Sequence, residues 1–160
     1  MLPWGHAAVG YLWYSLWSRS ERGLPTDGGV WIVLLATQLP DLVDKGLSWA
    51  VPILPSGRSL AHSVFTTAAL VAIAMRIGRR FDADDLAAAF SLGYVTHIVT
   101  DALPLLARGE TSYLTFLLWP VVPTPYDPSG KTLFGELTLI VQGGLGARDL
   151  LLLLALVVLW

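Results

Sequence analysis

Three histidines and a handful of carboxylates are the only residues in this chain with the chemistry to hold a metal ion. His6 lies in Trp4-Gly5-His6. His62 closes Arg58-Ser59-Leu60-Ala61-His62. His97 stands four residues before Asp101 in Thr96-His97-Ile98-Val99-Thr100-Asp101. Leu39-Pro40-Asp41-Leu42-Val43-Asp44 adds two acids without a histidine. His97 and Asp101, at i and i+4, share one helix face and can offer a nitrogen and an oxygen to one ion. Each motif alone has a plainer reading. His-x-x-x-Asp is commonly a cap or a surface pair, His62 a packed histidine at a helix start, and Asp41 after Pro40 a turn residue. Taken together they weigh differently. An Asp at the middle of a membrane helix costs about 2.5–3.5 kcal/mol, and a shared cation offsets that cost. The chain has no cysteine, so thiolate sites and disulfides are excluded. A His/Asp donor set fits Zn²⁺, and also Mn²⁺ or Fe²⁺.

The surroundings of these residues are unusually apolar. Of 160 residues, 54% are hydrophobic and only 14% charged, where soluble domains carry about 25% charge. Mean hydropathy is +0.62. Much of the surface is therefore expected to face something other than water. The net charge of -2 and the lack of a basic stripe argue against nucleic acid as a partner. The length suits one domain over residues 1–160. The apolar start, Met1 to Ser18, has its basic residues, Arg19 and Arg22, after the apolar run rather than before it. It reads as a first helix that stays in the protein and not as a secretory signal.

The elements that must position the candidate ligands are helical. Expected helices run over 4–17, 29–39 (stopped by Pro40), 59–77 (capped by Ser59 and stopped by Gly78), 84–103 (ended by Pro104) and 147–160. Residues 46–57 read as a loop and 108–131 as irregular, and 133–142 fits helix or strand. The fold class is therefore all-α. It is either an apolar soluble bundle or a membrane-embedded one of four core helices plus a C-terminal apolar helix. Composition favours the membrane, although several helices fall short of the roughly 20 residues that a span needs.

Loop charges supply an orientation that owes nothing to the histidines. Arg19 and Arg22 follow the first helix, and Arg76, Arg79 and Arg80 follow the third. The positive-inside rule places both turns in the cytoplasm. His6, Asp41, Arg58, His62, His97 and Asp101 then all fall at the other end of the bundle, facing the extracytoplasmic side of the inner membrane. Asp82, Asp84 and Asp85 fall at the cytoplasmic end and read as solvated charges.

The motifs as a set resemble the YdjM family of membrane-bound metal-dependent hydrolases. The resemblance covers Trp4 to about Pro120: Gly5-His6, Leu39-Pro40-Asp41, Gly57-Arg58-Ser59 with His62-Ser63, Gly93-Tyr94-Val95-Thr96-His97 with Asp101, and Leu118-Trp119-Pro120. That family is distantly similar to zinc-dependent phospholipases C and single-strand-specific zinc nucleases. The resemblance implies one site formed by Asp41, His62, His97 and Asp101, with Asp101 bridging to a second ion also held by His6. In the nucleases a free N-terminal tryptophan completes that second site, whereas Trp4 is preceded here by Met1-Leu2-Pro3. A third ion would need further histidines, and the chain has none left; Asp127 or Glu136 could add an oxygen. One or two zinc ions are the expectation.

Metal-assisted hydrolysis follows as the reaction class. Asp44 is a candidate base or a group that orients a ligand, against the plainer reading of a turn acid paired with Lys45. Arg58 is a candidate for binding a substrate phosphate, or for orienting Asp41 or Asp101. The expected substrate is a lipid or other phosphoester at the membrane surface. Trp4, Trp13, Trp17, Trp49 and Trp119 could line an interfacial belt or an acyl groove. The alternative from another class is a membrane protein whose metal site is structural or serves transport, without catalysis.

Overall fold

The structure, a computed structural model, describes residues 3–124 together with Thr138, Leu150, Leu151 and Leu154. Five α-helices order the described residues: α1 (Pro3–Glu21), α2 (Asp27–Ala36), α3 (Leu39–Lys45), α4 (Val64–Arg80) and α5 (Asp84–Ala107). A π-helical turn (Gly46–Ala50) follows α3, and a 3-10 helix (Thr111–Leu118) follows α5. No strand occurs among the described residues. α5 is the central element and packs against α1, α2 and α4.

Local chemistry explains the helix ends, including those that depart from expectation. Pro40 does not stop a helix; it sits in the first turn of α3, where its missing N–H is one that no helix partner would have satisfied. α4 is capped by Ser63 rather than Ser59. The Ser63 hydroxyl accepts from the Phe65 N–H at 3.2 Å, and residues 59–62 are irregular. Gly78 stays inside α4, which runs on to Arg80. A Cβ at Gly78 would lie 2.6 Å from the Ala87 Cβ, so glycine serves the close crossing of α4 and α5 and not a helix stop. α5 continues through Pro104 to Ala107; near a helix end, proline sacrifices a single backbone bond. The segments expected to be loop or irregular thus contain a π-helical turn and a 3-10 helix. The undecided stretch 133–142 and the expected C-terminal helix lie outside the described residues, except that Thr138, Leu150, Leu151 and Leu154 are each helical.

The core is built from Tyr11, Tyr14, Val30, Val33 and Ala89, where α1, α2 and α5 meet. Close approach of α2 to α5 depends on Gly93, where a Cβ would lie 2.7 Å from the Val33 carbonyl oxygen. A smaller cluster of Ala102, Leu105 and Phe116 seats the 3-10 helix on α5. Asp85 is not the solvated charge that the sequence suggested. It accepts from the Tyr14 hydroxyl at 2.9 Å and from the Thr26 hydroxyl at 2.5 Å, and Thr26 itself caps α2 through the Gly29 N–H. This network ties α1, α2 and α5 together at one end of the bundle.

The all-α expectation holds for the described residues, and the shortness of several helices that the sequence indicated is seen directly. Among the described residues only α5 is long and apolar enough to cross a membrane. α2, at 10 residues, spans about 15 Å against a hydrocarbon core of about 30 Å. Large apolar side chains are nevertheless exposed on several helices: Trp13 and Leu16 on α1, Trp31 and Leu35 on α2, and Val95, Val99, Leu103 and Leu106 on α5. The last four lie three or four residues apart, so they form one outward stripe along the central helix.

Candidate metal centre

The end of the bundle opposite the Asp85 network gathers polar side chains from four separate segments. His6 comes from the first turns of α1, Asp41 from the first turn of α3, and His97 and Asp101 from α5. Arg58 and His62 come from the irregular segment before α4. His6, His62, His97 and Asp101 are all buried. One ligating atom from each of Asp41, His62, His97 and Asp101 lies within 4.8 Å of all the others.

The ring nitrogens are oriented by what holds their far sides. His62 Nδ1 lies 2.8 Å from an Asp44 carboxylate oxygen. His97 Nδ1 lies 2.5 Å from the Thr37 carbonyl oxygen. His6 Nδ1 lies 2.8 Å from the Thr100 hydroxyl, whose own proton goes to the Thr96 or His97 carbonyl at 2.8 or 3.0 Å. Each partner can only accept, so each Nδ1 carries the hydrogen, an assignment made from the hydrogen-bond pattern. As neutral imidazoles, all three then present Nε2 lone pairs inward. His62 Nε2 and His97 Nε2 face each other at 3.2 Å. His62 Nε2 is 3.7 Å from Asp41 Oδ1 and 3.6 Å from Asp101 Oδ2. His97 Nε2 is 3.9 and 4.0 Å from the same two atoms. His6 Nε2 lies 3.4 Å from Asp101 Oδ1.

Lone pairs converging in this way repel unless something positive sits among them. His6 Nε2 and Asp41 Oδ1 are buried with no hydrogen-bond partner, a cost of about 1–3 kcal/mol per group when nothing compensates it. The spacing of the donors fits an ion: with bonds of about 2.0–2.1 Å, tetrahedral ligands sit roughly 3.3–3.4 Å apart. The site's electrostatics also call for positive charge. Burial disfavours protonated His62, but the carboxylates of Asp101, Asp44 and Asp41 outweigh it and raise the imidazole's pKa. Burial disfavours ionised Asp41, but Lys45 and the two imidazoles of His97 and His62 outweigh that and hold its carboxyl below the usual range.

Asp44 and Arg58 take distinct places around this centre. Asp44 is fully buried and paired neither with Lys45 nor with solvent. Its oxygens accept from the backbone N–H groups of Ser59, Ala61 and His62 at 2.7, 2.8 and 3.2 Å, as well as from His62 Nδ1. It therefore stands behind the His62 ring, on the side away from Nε2. Arg58 forms an ion pair with Asp101, its Nε 2.8 Å from Oδ2, and leaves 41% of its side chain exposed; its guanidinium lies 6.0 Å from the Phe116 ring centroid. The Tyr94 hydroxyl donates to the Ala61 carbonyl at 2.7 Å and so fixes the same irregular segment against α5.

Sequence reasoning named Lys45 only as a partner for Asp44. Its ammonium donates to Asp41 Oδ2 at 2.7 Å, four residues along α3. Acid-to-lysine spacing of i to i+4 is a known helix pairing, so the signal was there once Pro40 is read as a helix start. The supports from the Thr37 carbonyl and the Thr100 hydroxyl had no sequence signal, because both are contacts across the fold. Asp127 and Glu136 lie outside the described residues.

The family described as "YdjM inner membrane protein" matches this chain over residues 1–160. No curated protein and no solved structure matches it.

Proposed function

Because the chain belongs to the YdjM inner membrane protein family, we propose that it is a membrane-bound hydrolase that cleaves a lipid or other phosphoester at a metal centre. The observation that carries this reading is the convergence of three imidazole Nε2 lone pairs and two carboxylates in one buried space. Asp41, His62, His97 and Asp101 would hold the ion, zinc being the best fit to nitrogen and oxygen donors in this spacing. His6, which touches Asp101 from the other side, would hold a second ion or support the first. A bound divalent ion supplies an acidified water and polarises a phosphoryl oxygen. The protein's own groups do the rest. Asp44 and the Thr37 carbonyl fix the imidazole orientations, and Arg58 steadies Asp101. Asp41 is the most exposed of the four proposed ligands, its side chain keeping 15% of its surface. A distant kinship with zinc phospholipases C and zinc nucleases, drawn from the same residues, is part of the proposal, as is a single domain over residues 1–160.

Purified protein loaded with zinc should release the headgroup or phosphate from a short-chain phospholipid or a generic aryl phosphate ester. Chelation should abolish the release and added zinc should restore it. Metal bound stoichiometrically with no turnover across phosphomonoesters and phosphodiesters would leave the structural or transport reading in its place.

We place the centre on the extracytoplasmic face of the inner membrane. α1 and α4 both begin near the cluster and end in arginine, at Arg19 and at Arg79 and Arg80, so the positive-inside rule puts their far ends in the cytoplasm. The chain lacks cysteine, which makes the test direct. Ile53→Cys and Phe81→Cys introduce thiols at exposed sites at opposite ends. In intact cells or spheroplasts a membrane-impermeant maleimide should label the first and spare the second; equal labelling, or the reverse, would refute the orientation.

A further inference from the structure

The geometry points to Lys45, with Arg58, as an oxyanion-binding rim on the open side of the metal centre. This inference rests on the metal reading above and adds the ligand chemistry of its mouth. Three carboxylates, Asp41, Asp44 and Asp101, face two cations, Lys45 and Arg58. With neutral imidazoles the set carries one negative charge; a divalent ion turns that into one positive charge, which an anion would balance. The two cations are also the accessible members of the set. Lys45 keeps 28% of its side chain exposed and Arg58 41%, whereas His62, His97 and Asp44 keep none.

Gly57 brings the two cations to one rim. A Cβ there would lie 3.0 Å from Trp49 Cζ2 and 3.3 Å from Lys45 Cγ. The lysine stem and the Trp49 ring therefore lie directly on the backbone that precedes Arg58. Each cation also rests by an aromatic face: Lys45 Nζ is 5.5 Å from the Trp49 centroid, and the Arg58 guanidinium is 6.0 Å from that of Phe116. Lys45 donates to Asp41 through its single ammonium nitrogen, and Arg58 pairs with Asp101 on its Nε side. The remaining ammonium hydrogens of Lys45 and the terminal nitrogens of Arg58 are left to meet a ligand, and Arg presents these in a fork that matches two oxygens of a phosphoryl group. The ligand class is a phosphoryl oxyanion, from either a phospholipid headgroup or free phosphate.

The test uses the full chain in neutral detergent, with inorganic phosphate and a monomeric short-chain phosphatidic acid as probes, followed by calorimetry. Zinc-loaded wild type should bind both, and the chelated protein neither. Lys45→Met keeps the stem against Trp49 and Gly57 but removes the charge; it should retain zinc and lose about tenfold in phosphate affinity, as expected for one charge-assisted contact. Lys45→Arg should recover most of the loss. Phosphatidic acid bound at least about tenfold tighter than phosphate would assign the site to lipid, and equal affinities to free phosphate. Zinc-loaded Lys45→Met that binds phosphate like wild type overturns the rim and leaves the metal centre standing. Loss of zinc in Lys45→Met also overturns it, by making Lys45 a positioning residue for Asp41. A wild type that takes up no zinc removes the metal reading and the rim with it.

Discussion

His97→Ala should leave the purified protein unable to hold its metal, with affinity reduced by at least about a hundredfold. Substitutions merely behind a metal ligand cost about 10–100-fold, and His97 presents its nitrogen to the centre directly, 3.2 Å from His62 Nε2. The substitution also frees the Thr37 carbonyl, which now accepts from Nδ1, so a modest fall in stability should accompany the loss. Elemental analysis of protein purified without added metal, together with competition against a chromophoric chelator, reads the first effect. A triple variant lacking His62, His97 and Asp101 side chains that still carried stoichiometric metal would end the ligand assignment. His6→Ala divides the remaining possibilities. If His6 holds a second ion, metal content should fall by one equivalent; if it supports the first, content should hold while affinity drops.

The second large effect is expected at Asp44. No other carboxylate in the described residues accepts from three backbone N–H groups and an imidazole while wholly buried. Asp44→Ala would strand those donors in the interior. Removing one partner of a buried charged network costs about 3–5 kcal/mol, a large part of the 5–15 kcal/mol by which domains are stable. The thermal midpoint in detergent should therefore fall sharply, and residues 59–62 should become sensitive to protease, since three of their backbone N–H groups are held by this one side chain. Metal affinity should fall with it, because His62 loses the group that aims its Nε2. Asp44→Asn does not rescue: an amide nitrogen meets N–H groups that need an acceptor. A variant with wild-type stability and metal content but no turnover would instead make Asp44 a base in the reaction.

These two positions also show how differently the parts of the centre could be read in advance. His97 and Asp101 were legible because a helix converts a four-residue spacing into a shared face. The same regularity placed His6, Asp41 and His62 near one end of the bundle from loop charges alone. Asp44 was a candidate from sequence, but the groups it holds were not legible. Its role is defined by residues 59–62 folding back onto it, and no periodicity records which backbone N–H groups an acid will collect 15–18 residues further on. Helix ends misled for a related reason. Pro40, Ser59 and Gly78 carry stop and start chemistry, but a proline also suits a first turn, two serines competed for one cap, and a glycine was needed for close packing against Ala87.

Residue types and spacing were enough to anticipate the all-α fold of the described residues, a cysteine-free donor set of histidine and aspartate, and membership in a membrane family. All of these follow from local pattern and composition, which survive in one dimension. The tertiary fold alone decided which nitrogen of each histidine faces inward and that Asp44 stands behind His62. Those outcomes depend on hydrogen bonds between segments far apart in sequence, and only packing against α5 brings their partners within reach.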